Sequence, residues 1–178
     1  MKIQCFPVTM TREEALAIAG GRKNPLLKAF YGSKKINLRL MYLESRYFIY
    51  EMTYMDNLLM KLFRRNHPEE KQKIRIMVEA TTCTASYTDA EIHTIEKEVD
   101  ENDIQLANYE DQRLEDCGAT MARCMVRRHM GRDLTIRPIS MQKVYRPYYI
   151  AIYGEMVEGT KAHYLPIAAD GNEVYKTL

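Results

Sequence analysis

Residues 143–154 read Lys-Val-Tyr-Arg-Pro-Tyr-Tyr-Ile-Ala-Ile-Tyr-Gly, and residues 162–177 read Ala-His-Tyr-Leu-Pro-Ile-Ala-Ala-Asp-Gly-Asn-Glu-Val-Tyr-Lys-Thr. Aromatic and β-branched residues fill both stretches, and turn residues interrupt them at short intervals, as is typical of antiparallel strands. The dipeptide Asp170-Gly171 predicts a hairpin turn, because both residues tolerate a positive φ. The C-terminal third therefore predicts a meander of strands at 134–141, 144–156, 162–168 and 173–177.

Working outward from this meander, three segments predict helices. Residues 11–14, Thr-Arg-Glu-Glu, form a capping box that begins a helix, and Gly20-Gly21 ends it. Asn24-Pro25 predicts a second, short helix that ends at Gly32. The longest helix is predicted at 108–130, where apolar residues recur at intervals of three and four before Gly131. These residues are Leu114, Cys117, Met121, Cys124 and Met125.

The first half of the chain also predicts strands. Residues 36–54 are rich in Tyr, Leu, Ile and Phe, and the charged triplet 44–46 divides them into two strands that we expect to pair as a hairpin. Residues 56–65 are interpreted as a helical connector or as an extension of the preceding strand. Residues 73–87 alternate and predict a third strand that continues past Thr81-Thr82. The acidic stretch 88–107 is interpreted as a solvated connector.

The two halves then share one order of elements, a helix followed by about three strands. A local match supports an internal repeat, because residues 46–52 (Arg-Tyr-Phe-Ile-Tyr-Glu-Met) align with residues 146–152 (Arg-Pro-Tyr-Tyr-Ile-Ala-Ile). Downstream, residues 78–83 fall roughly against residues 167–172, so that Val78 aligns with Ile167. The sequence therefore predicts an α+β fold of two similar αβββ units, each an antiparallel three-stranded sheet with its helix on one face. The predicted units are 1–87 and 108–178, joined by the connector 88–107 and sharing one compact core.

The pattern Tyr-Arg-Pro-Tyr-Tyr-Ile-Ala-Ile-Tyr, followed by a Tyr-containing strand that ends in Ala-Asp-Gly-Asn-Glu-Val, resembles the C-terminal half of PepSY-like modules. The resemblance covers 144–174 and, more faintly, 46–83. It implies small α+β units with a cystatin-like arrangement of helix on sheet, often in tandem. It also implies a binding or inhibitory role in place of catalysis, and it carries over no functional residue.

Composition excludes several classes of protein. The chain has 178 residues with a net charge of +2, which is no sign of a nucleic-acid or membrane partner. No apolar run approaches the roughly 20 residues that cross a bilayer. The N-terminal residues lack the apolar core of a signal peptide, because charged residues follow too early. We therefore expect a cytoplasmic protein without a membrane partner.

The chain carries no catalytic or metal-binding motif, so we expect no catalytic residue, no metal and no cofactor. The four histidines are scattered, and the four cysteines form no Cys-x-x-Cys pair. Cys117 and Cys124 lie seven residues apart on one helix face. We interpret them as buried small hydrophobic residues, with a metal or redox pair as the alternative. Cys83 would need a nearby histidine to act as a nucleophile.

Six residues are candidates for binding, because they place charge or aromatic area on the predicted sheets: Glu79, Arg146, Tyr148, Tyr153, Tyr164 and Asp170. The favoured function is a non-enzymatic binding or assembly module that meets a protein partner or itself, for example as a homodimer. The alternative is an enzyme or small-ligand binder with a pocket between sheet and helix. A third and weaker hypothesis is a single-strand nucleic-acid binder that uses the basic and aromatic run 143–153.

Overall fold

The computed structural model describes residues 1–21, 35–54, 71–88, 91–130, 134–154 and 163–171. These residues form eight strands, two α-helices and one 3-10 turn at Glu101–Asp103. The strands are β1 (Lys2–Cys5), β2 (Ile36–Tyr54), β3 (Lys71–Glu79), β4 (Thr84–Tyr87), β5 (Ile95–Glu98), β6 (Ile104–Gln105), β7 (Leu134–Tyr153) and β8 (His163–Ala168). The helices are α1 (Arg12–Ala19) and α2 (Asp111–Met130).

The described strands join in one mixed sheet in the order β4-β3-β2-β7-β1-β5, with β6 paired to β2 and β8 paired to β7. The prediction of two similar αβββ units, each with an antiparallel three-stranded sheet, is therefore wrong. Two of the pairings are parallel, β1 with β7 at Cys5 and Tyr145, and β2 with β6 at Tyr42 and Ile104. The α+β class and the predominance of antiparallel pairing are confirmed.

The triplet Glu44-Ser45-Arg46 does not divide a hairpin, because β2 runs through it as one continuous strand. Glu44 and Arg46 are two residues apart and so lie on the same face of the strand. There the Arg46 guanidinium donates to the Glu44 carboxylate at 2.7 Å. Each charge neutralises the other, so the strand continues where composition alone predicted a break.

The predicted strand 73–87 is two strands. β3 ends at Glu79, a turn covers 80–83, and β4 returns antiparallel with Val78 opposite Ala85. Cys83 is the last residue of this turn, and its φ is 54°. Likewise, the predicted strands 134–141 and 144–156 are one strand, β7.

The internal match between the two halves has no support in the strand register. Arg46 lies opposite Val78 in the β2–β3 pair, but Ile167, which the alignment places against Val78, lies opposite Tyr149 in the β7–β8 pair. The two matched segments are therefore shifted by three residues relative to the proposed alignment.

The chain divides into two compact units. Unit 1 comprises Met1–Leu43, His93–Gln105 and Tyr145–Asn172, and unit 2 comprises Glu44–Ile92, Leu106–Val144 and Glu173–Leu178. β2 and β7 therefore contribute residues to both units.

In unit 1, the helix α1 begins at a capping box, as predicted. The Thr11 hydroxyl accepts from the Glu14 amide, and the Glu14 carboxylate accepts from the Thr11 amide. Gly21, with a φ of 81°, ends the helix turn. The small residues Ala15 and Ala19 let the helix approach β7 and β8 closely, in a core with Leu38, Ala151, Tyr153 and Ile167. A second cluster joins Ile3, Cys5, Tyr42 and Tyr145.

In unit 2, the long helix α2 packs on the strand pair β2–β3. The core consists of every second residue of β2 and β3 together with the residues on one face of α2. The intervals of three and four in the sequence indicated this apolar face of α2. Its buried members are Phe48, Tyr50, Met52, Ile74, Ile76, Val78, Ala80, Leu114, Ala119, Met121 and Ala122.

Three predictions lie outside the described residues: the short helix from Asn24-Pro25, the connector 56–65 and the strand 173–177. Gly171 has the positive φ, 67°, that the Asp-Gly turn requires. Among the described residues, neither helix is long and apolar enough to cross a bilayer.

Candidate functional site

Two of the sequence-predicted residues, Arg146 and Asp170, form a buried ion pair in unit 1. The Arg146 Nε and Nη2 atoms donate to the two carboxylate oxygens of Asp170 at 2.8 and 3.0 Å. The relative exposure of the two residues is 5% and 4%. A bidentate pair of this kind fixes the orientation of both groups.

The backbone around Asp170 places its carboxylate beside β7. The Ala169 amide donates to the Pro147 carbonyl at 2.9 Å, and the Ala169 carbonyl accepts from the Thr9 and Met10 amides at 2.8 and 3.1 Å. A Cβ on Gly171 would lie 2.7 Å from the Thr9 hydroxyl oxygen, so the site has no room for a side chain there. The ion pair thus ties β7 to the end of β8, and the Ala169 carbonyl ties the end of β8 to the segment before α1.

The tyrosines predicted with Arg146 differ in their surroundings. Tyr148 presents its ring to the Arg146 guanidinium, whose carbon lies 5.5 Å from the ring centroid. Tyr153 is buried, and its hydroxyl donates to the Ala19 carbonyl at 2.9 Å. This bond supplies a partner to one of the backbone carbonyls at the C-terminal end of α1. Tyr164 is 67% exposed. Arg146 therefore contacts both Tyr148 and Asp170, whereas Tyr153 binds the C-terminal end of α1.

Glu79, the remaining candidate, lies in unit 2 at the end of β3. Its carboxylate accepts from the Thr81 hydroxyl at 2.8 Å, which helps to form the turn between β3 and β4. Glu79 lies opposite Ser45 in the register of β2 and β3. The Ser45 hydroxyl is buried and has no hydrogen-bond partner within the described part of the chain.

Sequence reasoning missed a charged cluster in unit 2. The Arg46 guanidinium contacts Glu44 at 2.7 Å and Asp111 at 2.8 Å, and the Lys143 ammonium contacts Glu44 at 3.0 Å. Burial disfavours the charged form of Glu44, but the hydrogen bonds and charges of Arg46 and Lys143 outweigh it and hold its pKa below the usual value. The signal in the sequence was the Glu-x-Arg spacing, which places both charges on one strand face.

Sequence reasoning also missed the exposure of β7 along residues 135–142, which we call the exposed β7 segment. Every residue of this segment except Ile136 is exposed, although β7 is an inner strand of the sheet order. Ile139 and Met141 expose 44% and 49% of their surface. They are two residues apart and so lie on one face of the strand. Large apolar side chains that are exposed together are a mark of interaction surfaces.

The cations within and next to the exposed β7 segment already have partners. Arg137 Nε donates to a Glu51 carboxylate oxygen at 3.0 Å, and Lys143 contacts Glu44. Pro138 has no N–H to give to an added strand. Within the described ranges, no three His, Cys, Asp or Glu side chains gather as metal ligands would.

Comparison with known proteins finds no family model, no curated protein and no solved structure that matches the chain. The resemblance to PepSY-like modules therefore stays a prediction from the sequence.

Proposed function

We propose that the protein is a binding and assembly module whose exposed β7 segment contacts the same segment of a second copy. The observation that supports this proposal is the exposure of Ile139 and Met141 on one face of an inner strand. Burying such side chains contributes roughly 25 cal/mol per Å² of apolar surface removed from water.

The charges around the segment favour a second copy as the partner. A surface that meets itself about a twofold axis brings like charges together, and unpaired cations there would repel each other. Arg137 and Lys143 are each paired with a glutamate of β2, so this repulsion is reduced. An unrelated acidic partner would instead need cations that are available for pairing.

The contact uses side chains and not an added strand. Pro138 lies within the segment and has no N–H, so it interrupts the hydrogen bonds that a further strand would need. Ile139 and Met141 are the large apolar side chains that the segment exposes, so we expect a reversible dimer whose population depends on protein concentration.

Sedimentation velocity over a range of concentrations tests the proposal. The wild-type protein should shift from monomer to dimer as its concentration rises, and Ile139→Lys should stay monomeric because it places a cation in the contact. The matched control is Ile95→Lys, which changes an isoleucine of β5 that is 47% exposed. Circular dichroism confirms that both variants are folded.

Two outcomes would overturn the proposal. One is a wild-type protein that remains monomeric at every concentration. The other is equal loss of the dimer in Ile139→Lys and Ile95→Lys, since that result would place the contact elsewhere or make it a general effect of charge.

A further inference from the structure

Two cysteines that are 34 residues apart in the sequence meet in unit 2. Cys83 ends the turn between β3 and β4, and Cys117 lies in the second turn of α2. The Cys117 thiol donates to the Cys83 carbonyl at 3.1 Å. The Cys83 thiol in turn points to the first turns of α2, where the Arg113 carbonyl lies 4.0 Å from its sulfur. Both are half-buried and pack at the edge of the same core.

The backbone at Cys83 is unusual. Its φ of 54° lies in the left-handed region, and among the described residues other than glycine no other φ is positive. A residue with a β-carbon is strained there, and turns usually place glycine or asparagine at such positions. Strain that persists in a fold is often linked to function, and here the strained residue carries a reactive group.

We propose that Cys83 and Cys117 are a redox-active thiol pair, which a hydroperoxide oxidises to an intramolecular disulfide and a small thiol reduces again. The proposal concerns modification of unit 2 and does not depend on self-association through the exposed β7 segment.

The neighbouring cysteine on the helix is not an alternative partner. Cys124 lies seven residues after Cys117, which is about 10 Å along a helix axis. A disulfide requires α-carbons within about 7 Å of each other, so Cys117 and Cys124 cannot be bridged while α2 is intact. Cys124 is exposed, which differs from the buried position that the sequence predicted.

The order of oxidation follows from the surroundings of the two thiols. Burial, together with the hydrogen bond to Cys83, raises the pKa of Cys117 to about 11, so Cys117 remains a thiol near neutral pH. Only a thiolate attacks peroxide efficiently. Within this pair, we therefore assign the first attack on peroxide to Cys83 in the turn, and the resolving role to Cys117 on α2.

In the first step, the Cys83 thiolate attacks a peroxide oxygen, the O–O bond breaks and, for hydrogen peroxide, the leaving hydroxide takes a proton to become water. The product is a sulfenic acid. In the second step, the Cys117 sulfur attacks the Cys83 sulfur and loses its proton, the S–O bond breaks, and a second water leaves. Two thiols are oxidised by two electrons in total, and one hydrogen peroxide is reduced to two waters.

Peptide mass spectrometry of the full chain tests the proposal. The reduced protein is treated with one equivalent of hydrogen peroxide, alkylated under denaturing conditions and digested without a reductant. We expect a disulfide-linked peptide pair that contains Cys83 and Cys117, and a fall from four titratable thiols to two. Dithiothreitol should restore all four.

Three variants sharpen the assignment. Cys117→Ser should accumulate a sulfenic acid at Cys83 that dimedone traps, whereas Cys83→Ser should leave Cys117 as a thiol. The matched control Cys124→Ser should form the disulfide as the wild type does. The proposal is overturned if peroxide oxidises Cys124, or links Cys124 residues of two chains, while Cys83 and Cys117 stay reduced and are both alkylated afterwards. The wild-type measurement decides this question even if a variant fails to fold.

Discussion

The Asp170 carboxylate accepts two hydrogen bonds from the Arg146 guanidinium, at 2.8 Å from Nε and 3.0 Å from Nη2. Both side chains are almost fully withdrawn from water. A buried charge without its counter-charge lowers the free energy of unfolding. Each member of the pair therefore needs the other. The geometry therefore argues that these two residues hold β7 against the end of β8, where the Ala169 carbonyl also binds the segment before α1.

Replacing Arg146 by leucine should destabilise the protein by about 3–5 kcal/mol, because the Asp170 carboxylate then stays buried without its counter-charge. Urea unfolding at neutral pH measures the loss. The double variant Arg146→Leu/Asp170→Leu should recover much of it, since neither charge remains. The control Lys2→Leu removes a pair that is 71% and 59% exposed and should cost less than about 1 kcal/mol. Equal losses for Arg146→Leu and Lys2→Leu would contradict this account.

Acid should destabilise the protein partly through Glu44. The pKa of Glu44 is lowered in the folded protein, so its contribution is fully present above the unfolded value of 4.5 and is lost as the pH falls below it. The free energy of unfolding, measured in urea between pH 7 and pH 3, should therefore fall less steeply in Glu44→Gln than in the wild type below that value. Parallel curves for the two proteins would show that Glu44 is not protonated on unfolding in this range.

The sequence predicted those features whose cause lies within a few residues. The capping box at Thr11 and Glu14 and the helix α2 both depend on contacts three or four residues apart, which spacing reveals directly. The stop at Gly20-Gly21 is equally local. These elements required no knowledge of the sheet.

The features that sequence reasoning missed depend on partners far along the chain. Arg46 stays within a strand because Asp111, 65 residues later, and Glu44 neutralise it. The helix α1 precedes β2 in the sequence but packs on β7 and β8. The order of elements along the chain therefore does not predict which elements belong to one compact unit. The sequence singled out Arg146 and Asp170 as candidate binding residues, but their pairing depends on the register of β7 and β8.

Three of the four cysteines, Cys124, Cys117 and Cys5, should react with a maleimide in a defined order under reducing conditions. Cys124 is exposed and should react first. Cys117, with a pKa of about 11, has a thiolate fraction of about one thousandth at pH 8 and should react much more slowly. Burial also raises the pKa of Cys5, which should react only on unfolding. Peptide mapping at successive times measures the order, and early labelling of Cys5 or Cys117 ahead of Cys124 would contradict it.

Gly118 faces Tyr50 across the core of unit 2, and the contact leaves no room for a methyl group. A Cβ on Gly118 would overlap the Tyr50 hydroxyl, which donates to the Glu115 carbonyl at 2.8 Å. Alanine in place of glycine usually stabilises a helix interior by about 1 kcal/mol. Here we expect Gly118→Ala to destabilise the protein by about 1–3 kcal/mol, because the overlap outweighs the gain in helix propensity.

A double-mutant cycle with Tyr50→Phe separates the two effects. Phenylalanine removes the hydroxyl oxygen, so the added methyl group meets only ring carbons at 3.2 and 3.3 Å. Urea unfolding should then show that Gly118→Ala costs less in the Tyr50→Phe background than in the wild type, with a coupling energy of about 1 kcal/mol or more. If Gly118→Ala instead stabilises the wild-type protein, α2 lies farther from β2 than the Tyr50 hydrogen bond to Glu115 requires.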